Sequence, residues 1–112
     1  MNEEEEKGIV ELEQVVSYLE YHLQQYRDYE QKFKYDRIKK DRDRALDNMV
    51  THADYIKNVL LREDVYPIIK NGSPLYIQFE DFWRYVKSDT PGYIETLKKY
   101  IENKKRTERD AI

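Results

Sequence analysis

The chain has 112 residues, of which 38% are charged and 39% hydrophobic, and its formal net charge at pH 7 is −3. It contains no cysteine, which excludes disulfide bonds and thiolate chemistry. We predict a single helical domain over residues 1–112, the size expected of one core. The small apolar share, which includes eleven tyrosines, indicates an elongated fold or a core completed by a second chain.

The first third of the chain is predicted to form a long amphipathic helix. Residues 3–6 are glutamates, and carboxylates favour a helix start because they face its positive end. Gly8 follows, so we expect residues 1–7 to be frayed and the firm helix to begin near Ile9. Apolar residues then recur at steps of three and four, which is typical of one apolar face. Five of them form a candidate interaction seam: Ile9, Leu12, Val16, Leu19 and Leu23.

This seam predicts packing against another helix, as in coiled coils, because such a stripe left in water would be costly. The partner is either the region of Ile56 and Leu60 in the same chain or a second chain. We expect a homo-oligomer, with a dimer as the first choice.

A charged segment then interrupts the apolar pattern. Residues 1–31 sum to −7 and residues 32–44 to +4, and the pattern resumes in a different phase from Leu46. Because the segment has no glycine or proline, one bent helix from Ile9 to Leu61 is favoured over a hairpin that turns within it.

The same segment is the candidate nucleic-acid site. Its proposed phosphate contacts are Lys34, Arg37, Lys40 and Arg44. Cations interleaved with aromatic residues suit phosphates and stacked bases. The aspartates among them favour the alternative, a solvated helix surface with its own ion pairs.

The second half of the chain predicts shorter helices. One runs from Ala45 to about Arg62, and the dipeptides Ser73-Pro74 and Thr90-Pro91 each mark a further helix start, with proline in the first turn. The first of these starts opens a helix that continues to Val86. Residues 104–112 have no apolar face, so we predict a disordered tail.

The sequence carries two resemblances to known proteins. Residues 77–82 resemble the exit of an EF-hand loop, but the earlier ligand positions would be Lys70, Gly72 and Pro74, which offer no side-chain oxygen, so no calcium site is expected. The high content of lysine, glutamate and tyrosine without cysteine resembles small orphan proteins of hyperthermophilic archaea and their viruses. That resemblance implies no function for any residue.

No catalytic signature was found. His22 and His52 are thirty residues apart and neither has a metal-ligand companion nearby in sequence. We therefore expect no enzyme activity, no metal and no cofactor. No apolar run approaches the roughly 20 residues of a membrane span, and the acidic start is unlike a signal peptide. The expected location is intracellular and cytoplasmic, or the host cytoplasm if the chain is viral.

The sequence thus predicts an all-α protein of three to four helices with a long amino-terminal amphipathic helix, forming a helical bundle completed by self-association. Its predicted function is that of a non-catalytic protein-protein interaction or scaffold protein acting through helix packing. The alternative is a nucleic-acid-binding factor that uses residues 32–44.

Overall fold

The computed structural model describes residues 2–70 and 76–110. Within these residues the fold is all-α and has no strand. Its helices are α1 (Glu3–Tyr35), α2 (Lys39–Leu60), α3 (Tyr66–Ile69) and α4 (Val86–Asp110), with short 3-10 turns at Tyr76–Gln78 and Phe82–Arg84. The predicted all-α class and the long amino-terminal helix are confirmed. The molecule is elongated and measures 61 × 23 × 18 Å.

Helix α1 begins earlier than the sequence predicted. The side chain of Asn2 accepts a hydrogen bond from the Glu5 N–H at 2.8 Å, which satisfies one of the free donors of the first turn. The glutamates of that turn face the positive end of the helix. The helix is therefore formed from Glu3, where fraying had been expected, while Met1 lies outside the described residues.

Helices α1 and α2 form an antiparallel hairpin, so the prediction of one bent helix is wrong. The Asp36 carboxylate accepts a hydrogen bond from the Ile38 N–H at 3.3 Å. The Arg42 guanidinium donates to the main-chain carbonyls of Asp36 and Arg37 at 3.1 and 3.2 Å. Aspartate promotes turns through local bonds of this kind, so the chain reverses without glycine or proline.

Helix α4 runs antiparallel to α1 and packs over it. The ion pairs between Lys105 and Glu13, at 3.3 Å, and between Lys87 and Glu30, at 2.9 Å, define this register. The core lies between α1, α2 and α4, with α3 and the 3-10 turns closing its side. Its largest fully buried apolar side chains are Leu19, Ile56, Leu60, Val65, Ile77, Phe82, Val86 and Leu97.

For the segment before α4, the sequence predicted a helix that continues to Val86, and the structure differs from this prediction. The described part forms only the two 3-10 turns, which contain the buried Ile77 and Phe82, and Phe79 between them is half exposed. An α-helix would have placed Phe79 and Phe82 on one face. The predicted start at Ser73-Pro74 lies outside the described residues.

Helix α4 begins five residues before the predicted start and continues through Pro91. Proline removes the N–H that would donate to the Lys87 carbonyl, a loss of one bond near the helix start. Val86, Ile94 and Leu97 are buried on one continuous helix face. This packing outweighs the local breaker.

The same helix reaches Asp110, where the sequence predicted a disordered tail. Residues 104–110 are helical, and two contacts hold their start. Lys105 pairs with Glu13, and the Lys104 ammonium lies 5.6 Å from the centre of the Tyr100 ring. Residues 111–112 lie outside the described part of the chain.

Candidate interaction surface

The α1/α2 hairpin extends beyond α4 at one end of the molecule. No side chain from Gln31 to Arg44 is buried, and we call this stretch the tip. Three apolar side chains within it are well exposed, namely Phe33 (36%), Tyr35 (74%) and Ile38 (59%). Three exposed apolar side chains within six residues make this end of the molecule a candidate binding surface.

The tip is also basic, with residues 32–44 summing to +4. The structure places all four predicted nucleic-acid contacts there. Arg37, Lys40 and Arg44 are exposed, and their side chains make no ion pair or hydrogen bond with any residue that the structure describes. Lys34 differs from them because its ammonium lies 3.8 Å from the Glu30 carboxylate.

Elsewhere the opposite charges of the chain face one another. Helices α1 and α4 dock antiparallel within the chain, and lysines of α4 face glutamates of α1. Lys98 lies 3.8 Å from Glu20, and Lys105 lies 3.3 Å from Glu13. No acidic helix covers the tip among the described residues. The positive charge of the tip is consequently available to a partner.

The candidate interaction seam lies in the interior. Ile9, Leu12, Val16, Leu19 and Leu23 are all buried, and they belong to one core cluster with Ile56 and Leu60. Of the two partners considered for the seam, the structure thus provides the one within the same chain. The seam as a whole is therefore unavailable for self-association, because its side chains pack within the chain's own core.

A histidine pair that sequence reasoning missed joins α1 to α2. The Nδ1 atoms of His22 and His52 are 2.8 Å apart, so one ring donates a hydrogen bond and the other accepts it. His22 is buried and His52 is partly buried. Burial lowers the pKa of both imidazoles, and their proximity lowers that of His22 further.

Tyrosines enclose this pair. The ring centres of Tyr18 and Tyr55 lie 4.2 and 5.0 Å from that of His22, and Tyr29 stacks against His52 at 5.6 Å. A turn placed at Arg37 would have predicted the pair, because each histidine is fifteen residues from it. The bent-helix interpretation kept the two residues far apart.

In the part of the chain that the structure describes, the histidine pair has no third side chain beside it that could complete a metal site. Within the described residues, no three His, Cys, Asp or Glu side chains are grouped where they could hold a metal ion. Two neutral imidazoles joined by a hydrogen bond serve best as a pH-sensitive contact between the helices.

Comparison with protein-family models, curated proteins and solved structures finds no match to this chain. None of the helices in the described part of the chain combines the length and the apolar character that a bilayer crossing requires.

Proposed function

We propose that this is a non-catalytic interaction protein whose binding surface is the tip. The observation that carries the proposal is the coincidence of Phe33, Tyr35 and Ile38, all exposed, with cations that have no partner within the described residues. Burying the three apolar side chains on a partner supplies affinity, and the surrounding charges select an anionic partner and speed its approach.

The shape of the molecule supports this reading. The α1/α2 hairpin is held by the core as far as Tyr26 and Ala45, both buried, and the tip continues beyond them. A surface carried on rigid helices loses little conformational freedom on binding. The partner we expect presents a helix or groove with apolar side chains bordered by carboxylates.

Two tip variants test the proposal by affinity capture from the native source. Phe33→Gln/Ile38→Gln removes apolar contact, and Arg37→Glu/Lys40→Glu reverses charge. Tyr21→Gln is the matched control because Tyr21 is exposed on α1 away from the tip. Proteins that the wild type and the control capture should not be captured by either tip variant. The circular dichroism spectra and melting temperatures of the tip variants should match those of the wild type. Equal capture by the tip variants would refute the proposal.

A second candidate function is nucleic-acid binding, favoured by the exposed rings of Phe33 and Tyr35 among the tip cations. Each phosphate contact releases condensed counterions, so binding would weaken steeply with salt. Titration against duplex and single-stranded DNA and RNA at low ionic strength decides it. Binding that Arg37→Glu/Lys40→Glu abolishes would support this function, and no binding at the lowest salt would exclude it.

A further inference from the structure

The end of the molecule opposite the tip carries an open groove. It has a volume of about 480 Å³ and lies between the start of α1, the α3 region and the last turns of α4. Ile9, Leu12, Ile68 and Tyr100 provide its apolar lining. Its volume lies within the range of about 300–1,000 Å³ that is usual for binding pockets.

The rim of this groove is mainly acidic. Glu5, Glu11 and Glu63 line it, and the side chains of Glu11 and Glu63 make no ion pair or hydrogen bond within the described residues. Asp64 also lines it, but Arg62 neutralises this carboxylate through two hydrogen bonds of 3.0 and 2.8 Å.

One cation, Lys104, lies on the rim against the Tyr100 ring. The carboxylates outnumber it, so the groove suits an apolar group that is surrounded by positive charge.

The tip of this same chain has these properties, because its exposed apolar side chains lie among cations. Leu12 and Tyr35 are separated by 23 residues of continuous helix, or about 35 Å at 1.5 Å per residue. The tip therefore cannot reach the groove of its own molecule. Resting on the proposed function of the tip, we propose that its partner is a second copy of this chain, which receives the tip in its acidic groove.

The contact pairs two different surfaces, so it is heterologous. Phe33 and Ile38 would enter the apolar groove, while Arg37 and Lys40 would face the carboxylates of Glu11 and Glu63. Each copy has one tip and one groove at opposite ends of a 61 Å molecule. Repetition of the contact joins copies end to end. If two copies lie side by side instead, each places its tip in the groove of the other and forms a closed dimer.

Gly8 offers a way to block the groove. It lines the groove, and a Cβ atom built on it would meet no other atom within 4 Å. A side chain can therefore be attached at this position without a clash at its Cβ, and Gly8→Phe would add a ring to the wall of the groove. Gly92→Phe is the matched control because Gly92 also lies in a helix with open space around it. Both substitutions remove a helical glycine, so their effects on helix propensity are similar.

The test is the solution mass measured by sedimentation from micromolar to millimolar chain at low ionic strength. The wild type and Gly92→Phe should exceed the 13.8 kDa of one chain as concentration rises, and high salt should weaken the association. Gly8→Phe and Arg37→Glu/Lys40→Glu should each remain monomeric. Mixed, these two variants should form a 1:1 dimer and nothing larger, because only one intact tip and one intact groove are present.

A wild type that is monomeric at every concentration would overturn the inference, as would equal association of Gly8→Phe and Gly92→Phe. This failure is distinguishable from failure of the proposed function. If the wild type is monomeric but the tip variants lose captured proteins, the tip binds a different partner. If the tip variants change neither mass nor capture, both proposals are wrong.

Discussion

Replacing Leu19 with alanine should destabilise the protein by about 3 to 4 kcal/mol. Leu19 lies in the middle of the α1 seam and is fully buried in the core cluster that it shares with Ile56 and Leu60. The substitution removes three carbon atoms, which corresponds to about 2.4 kcal/mol of lost transfer free energy at about 0.8 kcal/mol per methylene. The cavity that remains adds roughly 1 kcal/mol. The loss is a large fraction of the about 5–15 kcal/mol that stabilises a typical domain.

Urea unfolding followed by circular dichroism measures this loss. Val10→Ala is the control because Val10 lies on the same helix but is 51% exposed, so its effect should stay within about 0.5 kcal/mol. At high salt, where the contact between tip and groove is weakened, the wild-type midpoint should not depend on protein concentration, since Leu19 packs against its own chain. A midpoint that rises with concentration, or a loss below about 1 kcal/mol for Leu19→Ala, would refute the reasoning.

Three further predictions concern single contacts. Stability should fall as the pH drops through 6.5, the ordinary pKa of histidine, because the lowered pKa values of His22 and His52 make the unfolded chain bind protons first. Urea unfolding from pH 7 to 5 measures this fall, and His52→Gln should reduce its slope. The hydroxyl of Tyr26 donates to a main-chain carbonyl at 2.7 Å, and burial raises the pKa of Tyr26 to about 12. Tyr26→Phe should cost about 1 to 2 kcal/mol and remove the latest ionisation from an alkaline absorbance titration, whereas Tyr21→Phe should leave the unfolding midpoint unchanged because Tyr21 is exposed. Asp36→Ala should cost about 1 kcal/mol in the same unfolding assay because the turn loses its side-chain hydrogen bond, and an unchanged midpoint would show that the turn does not depend on it.

The sequence by itself determined which helix faces are buried. Apolar residues at steps of three and four on α1 predicted the burial of Leu12, Leu19 and Leu23, and the same spacing predicted the burial of Ile56 and Leu60 on α2. Such burial is predictable because the helical period places these residues on one face. The change of phase between the two patterns also located the candidate site, since it fell in residues 32–44.

Only the tertiary structure decided what each face meets. The seam fits a helix of the same chain or of a second chain equally well in sequence. The hairpin that decides between them reverses the chain at Asp36. That turn brings His22 to His52, which are distant in sequence. Packing of α4 also overrides the local signals of Pro91 and of the charged tail. A local sequence pattern shows the period of a helix. Which helix packs against it depends on contacts summed over the whole core, and the residues around Asp36 and Pro91 carry no local signal that predicts this packing.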